Sequence, residues 1–181
     1  PVALSLGSKV EYTNLTESGK QLKLNNDHTY EQLLIHAGYS QEEAQALNAA
    51  VFAVEAQIAD GRRNASDQTA ENRINLIYNL RTLEQLRTES PAYPLAAILT
   101  AKGYNKGSPF MLSEPQWLTA LNAAYTEENL EGLKGLLIQN TLKETAQYLD
   151  QKCRDIYNER IIAKYGISGT KTPGQMAYDA C

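Results

Sequence analysis

The stretch TEENLEGLKGLLIQNTLKETAQYLDQKCRDIYNERIIAKYG, residues 126–166, decides the fold. Thr126 can cap the free backbone N–H groups of a helix start, and Glu127 and Glu128 put negative charge at the positive end of the dipole. Apolar residues then recur in steps of three and four: Leu130, Leu133, Leu136, Leu137, Leu142, Ala146, Leu149, Cys153, Ile156 and Tyr157. That spacing keeps them on one side of a helix, with Lys134, Lys143, Glu144, Asp150, Lys152 and Glu159 mostly elsewhere. No proline interrupts the run, and Tyr165-Gly166 supplies a stop. We read one long helix, or two stacked end to end, about 60 Å long at ~1.5 Å per residue. A hundred-residue domain has a radius of gyration of only ~13 Å, so such a helix must serve as a spine for others. Residues 132–140 hold two glycines and Gln139-Asn140, and a kink is expected there if anywhere.

Upstream, Ser40-Gln41-Glu42-Glu43 is a capping box. Its helix runs to about Asp60, with Ala44, Leu47, Val51, Val54 and Ile58 on one stripe and Gly61 as its end. A shorter helix is expected at 27–37, with Asn26 or Asp27 as cap, Leu33, Leu34 and Ala37 facing inward, and Gly38 as terminator. Residues 1–25 alternate weakly and are rich in Ser, Thr, Asn and Gly, so they read as irregular, at most with a short strand. Residues 62–69 form a polar connector. Helical pieces follow at 67–78 and at 82–87 with Thr82 as cap. Pro94 suits the first turn of a helix that continues through Leu95, Ile98 and Leu99 to Gly103. Residues 109–112 read as extended. Ser113 and Pro115 then restart a helix with Trp117, Leu118 and Leu121 inward. Beyond Gly166 lies a tail rich in Gly, Ser, Thr and Pro, expected to be poorly ordered. The fold class is all-α: an irregular multi-helix assembly around one long C-terminal helix, with at most a short strand pair.

Composition bounds function more than it identifies it. The chain has 181 residues, 43% hydrophobic and 21% charged, ordinary for a globular protein with a real core. A net charge of −4 gives no footprint for nucleic acid, which would be basic and clustered. No apolar run approaches the ~20 residues a bilayer span needs. The chain opens on Pro1 without a signal segment and closes on Ala180-Cys181, and we read it as a fragment of a longer protein.

The residues that carry chemistry are sparse. His28 and His36 are the two histidines, eight apart, whereas a metal-binding pair on a helix wants four. Glu55 sits on an alanine-rich helix and reads as solvated or paired with an arginine. Glu84 has nothing to bring it beside Glu55. Cys153 falls on the apolar side of the spine, as a buried thiol does. Cys181 is either a free thiol or half of a disulfide whose partner is missing. Asn14 and Asn64 match the short glycosylation pattern, which carries weight only in a secreted eukaryotic protein. The sequence has no His-Glu-x-x-His, Cys-x-x-Cys, Gly-x-Ser-x-Gly or phosphate-cradling glycine loop. No catalytic, cofactor-binding or metal-ligating residue is therefore expected in this chain.

The order of the landmarks adds a resemblance. Tyr30-Glu31-Gln32-Leu33-Leu34 leads to Gly38, and the alanine-rich helix with Val54-Glu55 and Ile58-Ala59 follows. Next come Tyr78-Asn79, Thr82-Leu83-Glu84-Gln85-Leu86 and Pro91, then Glu114-Pro115-Gln116-Trp117-Leu118 and Leu130-Glu131-Gly132-Leu133-Lys134. This succession resembles the N-terminal region of the neprilysin and endothelin-converting-enzyme family of zinc metalloendopeptidases, which includes the bacterial oligopeptidases called PepO. Leu95 departs from it, standing near a place where members often carry tryptophan.

The resemblance implies two largely helical domains enclosing a cavity, one holding zinc and the other capping the cavity so that only small peptides enter. Residues 26–166 then read as the capping domain, 1–25 as a segment leading into it, and 167–181 as a tail leading to an absent catalytic domain. Zinc and the family's Asn-Ala-Tyr substrate motif belong to that other part, so Asn122-Ala123-Ala124-Tyr125 inherits no role. The implied partners are the catalytic domain of the same polypeptide and the peptides it cleaves. Family members occur at cell surfaces, as lipoproteins and in the cytoplasm. From the residues alone, a stand-alone helical adaptor for a protein or peptide partner remains the alternative.

Overall fold

The computed structural model describes residues 4–69, 71, 73–104, 107, 109–166, 174 and 178. The tail expected to be poorly ordered, and Cys181 with it, lies largely outside these residues.

Helices dominate. In chain order they are α1 (Val10–Thr13), α2 (Glu17–His36), α3 (Gln41–Asp60), α4 (Ala65–Gln68) and α5 (Arg73–Ile77). Then come α6 (Leu83–Glu89), α7 (Leu95–Ala101), α8 (Pro115–Ala124), α9 (Leu130–Thr145) and α10 (Gln151–Tyr165). The strands β1 (Leu80–Arg81) and β2 (Phe110–Met111) pair antiparallel, Leu80 opposite Met111 and Arg81 opposite Phe110. Among the described residues the fold is thus mostly all-α with one short strand pair.

The centre of the body is α3, which packs against α2, α8 and α9. Its start follows the expected chemistry: Glu43 N–H donates to Ser40 Oγ at 3.1 Å and Ser40 N–H to the Glu43 carboxylate at 2.8 Å. Val51, Val54 and Ile58 of α3 meet Leu121 and Ala124 of α8 and Leu136 of α9 in the main core. A second core joins Leu33 of α2 to Cys153 and Ile156 of α10. A third gathers Leu86, Ala96 and Leu118 beneath the strand pair.

The C-terminal stretch is two helices, and its break is not where the glycines stand. Helix α9 runs unbroken through residues 132–140. It ends in a short 3₁₀ turn, Ala146–Tyr148, after which Leu149 is extended at ψ −154° and Asp150 at ψ 175°. Asp150 then caps α10, accepting the Cys153 N–H at 2.9 Å. The apolar phase continues across this joint, which hid the cap, yet Leu149 is exposed. Nor does Thr126 cap α9. The helix opens after Asn129, whose amide nitrogen donates to the Ala124 carbonyl and to Gln57.

Gly132 and Gly135 act as points of close approach instead of hinges. A Cβ on Gly132 would lie 2.5 Å from Val54 Cγ2 and 2.6 Å from the Ala50 carbonyl oxygen. On Gly135 it would lie 2.5 Å from Val51 Cγ2. The missing side chains let α9 sit directly on the backbone of α3.

The N-terminal quarter differs most from expectation. Helix α2 begins at Glu17, ten residues before the expected start, with Thr16 as its cap accepting the Gly19 N–H at 3.0 Å. Residues 10–13 form a further short turn of helix. The buried face of α2 includes Gly19, Asn26 and Thr29 as well as Tyr30, Leu33 and Leu34. Half of that face is small or polar, so apolar spacing could not reveal it. Within the connector, Asn64 and Asp67 cap the small helix α4, and α5 occupies a shorter span than 67–78. At α8 the cap position falls to Glu114 without a side-chain bond, while Pro115 opens the first turn as expected.

Candidate functional site

Glu55 is the clearest departure from the expected chemistry. It is neither solvated nor paired with arginine, being 2% exposed. Ser5 donates to it twice, from N–H at 2.9 Å and from Oγ at 2.6 Å. The Tyr12 hydroxyl donates at 2.9 Å and itself accepts the Leu6 N–H at 3.1 Å. The Tyr12 ring stacks on Phe52, with centroids 5.5 Å apart. One carboxyl of α3 thus fastens the N-terminal loop and α1 to the body. Burial pushes its pKa up, against the Ser5 and Tyr12 hydrogen bonds and the Lys143 charge, which pull it down. The same burial, with Glu55 beside it, pushes the Tyr12 hydroxyl up.

Next to this knot, Gln139 of α9 donates to Asn48 Oδ1 at 2.6 Å, and Asn48 donates to the Asp27 carbonyl at 3.0 Å. These bonds join α2, α3 and α9 through the interior. The signal for all three side chains was phase: Asn48 and Glu55 lie on the Val51–Ile58 stripe, and Gln139 stands one turn after Leu136. A polar residue in phase with an apolar stripe is buried by its neighbours, whatever its own preference.

The histidines are not brought together. His36 instead meets Asp150, Nε2 to Oδ2 at 2.7 Å, joining the end of α2 to the start of α10. With Cys153 they form a set of donor types zinc accepts, the donor atoms lying within 4.8 Å of one another. The contacts already made account for the grouping: a helix cap, an ion pair and a thiol in the second core. The Cys153 N–H, and after it His36, hold the Asp150 carboxyl down at about 2. Burial, and after it Asp150, push the Cys153 thiol up, away from the nucleophilic thiolate. Asp150 is depressed in the fold, so its stabilising contacts are complete above the ordinary carboxylate range and fade as pH falls toward about 2. A carboxyl NMR titration should place its midpoint near 2. His36→Ala should raise that midpoint part of the way to normal.

Glu84 is exposed on α6 and bonds Arg87, remote from Glu55 in role and setting. Asn122 Oδ1 accepts the Ala92 and Tyr93 N–H groups at 2.8 and 3.0 Å, a structural tie between α8 and the loop before α7. The Ser5 hydroxyl does stand beside a carboxylate, but its hydrogen bond to Glu55 belongs to the knot that ties the N-terminal loop to α3.

A groove of about 530 Å³ lies beside α9. Ile58, Leu121, Tyr125, Leu133, Leu136 and Leu137 line it. Leu137 is 71% exposed and Leu130 46%, side chains that solvent alone does not favour on one helix. No helix among the described residues is long and apolar enough to cross a membrane.

Comparison with known proteins agrees with this picture. The fold is similar to that of the zinc metalloprotease Zmp1 of Mycobacterium tuberculosis in its open state, with a TM-score of 0.77 and 18% identity. The match covers 94% of this chain and 26% of that one, so the chain spans about a quarter of Zmp1's length. No curated protein matches. The family model for the N-terminal part of peptidase family M13 matches residues 1–180. That match takes in both the landmarks from Tyr30 onward and the Glu55 knot, and the chain belongs to peptidase family M13 as part of its N-terminal region.

Proposed function

We propose that this chain is the non-catalytic, substrate-gating lobe of a neprilysin-like zinc endopeptidase. Its helices form one wall of a closed chamber that keeps folded proteins from the zinc and retains small peptides. In this reading the zinc belongs to the catalytic domain of the same polypeptide, which is also the partner of this lobe. The observation that carries the proposal is family membership over residues 1–180 in a chain whose apolar groove beside α9 is open to solvent. The Zmp1 match supports it further, because the remaining length of that chain leaves room for a second lobe.

The chain alone, with zinc added, should leave a short fluorogenic peptide uncut. A longer polypeptide containing it should cut that peptide but spare a folded protein carrying the same sequence. Chelator-sensitive cleavage by the isolated chain would refute the reading. A parent gene without a downstream His-Glu-x-x-His would favour the adaptor.

A further inference from the structure

We infer that the polar cavity between the N-terminal loop, α2, α3, α9 and α10 is a binding site for a carboxylate group. The cavity holds about 190 Å³, room for the end of a molecule and too little for a whole peptide. Lys143, Arg160 and Lys164 line it, with Glu55 as the one acid among its lining residues. Both Glu55 oxygens are already occupied by Ser5 and Tyr12, so the acid is turned toward the knot. Tyr30 and Glu55 line the same cavity as Arg160 and Lys143, so the two cations share one small space with these side chains.

The second observation is an orphan. Arg160 Nε is buried without a hydrogen-bond partner among the described residues. A buried donor left unpaired is costly, and a turn of the Arg160 side chain toward an acceptor in the cavity recovers that cost. A guanidinium matches a carboxylate in geometry and charge, and the neighbouring Lys143 reinforces it. Leu22 and Leu136 line the cavity as well and offer contact for the carbon behind the carboxylate. The carboxylate has two sources, a peptide C-terminus or a small free acid. The site stands on this cavity and not on the gating role, so an inactive parent would leave it intact.

Calorimetric titration of the chain with N-acetyl-alanyl-alanine, its C-terminal amide and succinate tests the site. At least one of the two acids should bind, and the amide should bind about tenfold more weakly than the peptide acid or not at all. Tighter binding of the peptide acid marks a peptide terminus as the ligand, and tighter binding of succinate marks a free acid. Arg160→Gln should weaken the bound acid by about tenfold, the loss of one charge-assisted contact. Lys143→Gln alters an exposed side chain and should weaken it severalfold while the fold is kept, whatever Arg160→Gln does to stability. No binding by either acid, equal binding of peptide acid and amide, or unchanged affinity in both variants would overturn the assignment.

Discussion

Glu55→Ala should destabilise the chain by about 3 kcal/mol, read as a fall in the urea midpoint at unchanged slope. The truncation strands the Ser5 N–H and the hydroxyls of Ser5 and Tyr12 around an empty space. A buried donor left unpaired costs about 1–3 kcal/mol, and the loop carrying Ser5 loses its tie to α3 as well. Glu55→Gln should cost much less, because both hydroxyls can turn to accept from an amide nitrogen. The two variants therefore separate loss of the knot from loss of charge. The wild type should also carry a pH signature. Burial raises the Glu55 pKa in the fold, so the folded state holds its proton where the unfolded chain has released it. Stability should then fall as pH rises from the ordinary carboxylate range through the raised value, and Glu55→Gln should lack that slope.

Gly132→Val should cost about 3 kcal/mol or more, although helix propensity alone favours valine over glycine by a few tenths of a kcal/mol. The sign is decided by space. The new Cβ would sit 2.6 Å from the Ala50 carbonyl oxygen, a backbone atom that cannot move without shifting α3. Val54, 2.5 Å away, is itself buried in the main core. Helix α9 must back off, opening the contact among Val54, Leu133 and Leu136. Thermal denaturation measures the loss, and a stabilised variant would show that the glycine marks flexibility after all.

These two residues also show what sequence reading can and cannot reach. The α3 helix, its capping box, the Thr82 cap of α6 and Pro115 at the head of α8 were legible because each rests on local chemistry. The extended piece near Phe110 was legible too, although its partner Leu80–Arg81 was not. The early start of α2 was hidden because the face it buries includes Gly19, Asn26 and Thr29, residues that alone suggest a loop. The joint at Leu149-Asp150 was hidden for the opposite reason, since the apolar rhythm passes through it unchanged. The glycines of α9 looked like weakness because the neighbour they admit is distant in sequence. Glu55 was misread through its charge. Its phase on α3 placed it inside, and the donors that make this tolerable come from Ser5 and Tyr12, more than forty positions away. Family membership, by contrast, came from the order of many weak landmarks.

The gating account rests on a second lobe covering the open side of α9. Side-chain footprinting of Leu130 and Leu137, in the isolated chain and in the longer polypeptide that contains it, tests this most directly. Both leucines should label readily in the chain alone and be protected in the longer polypeptide. Equal labelling in the two would mean that nothing docks beside α9, and the reading of this chain as one wall of a closed chamber would fall.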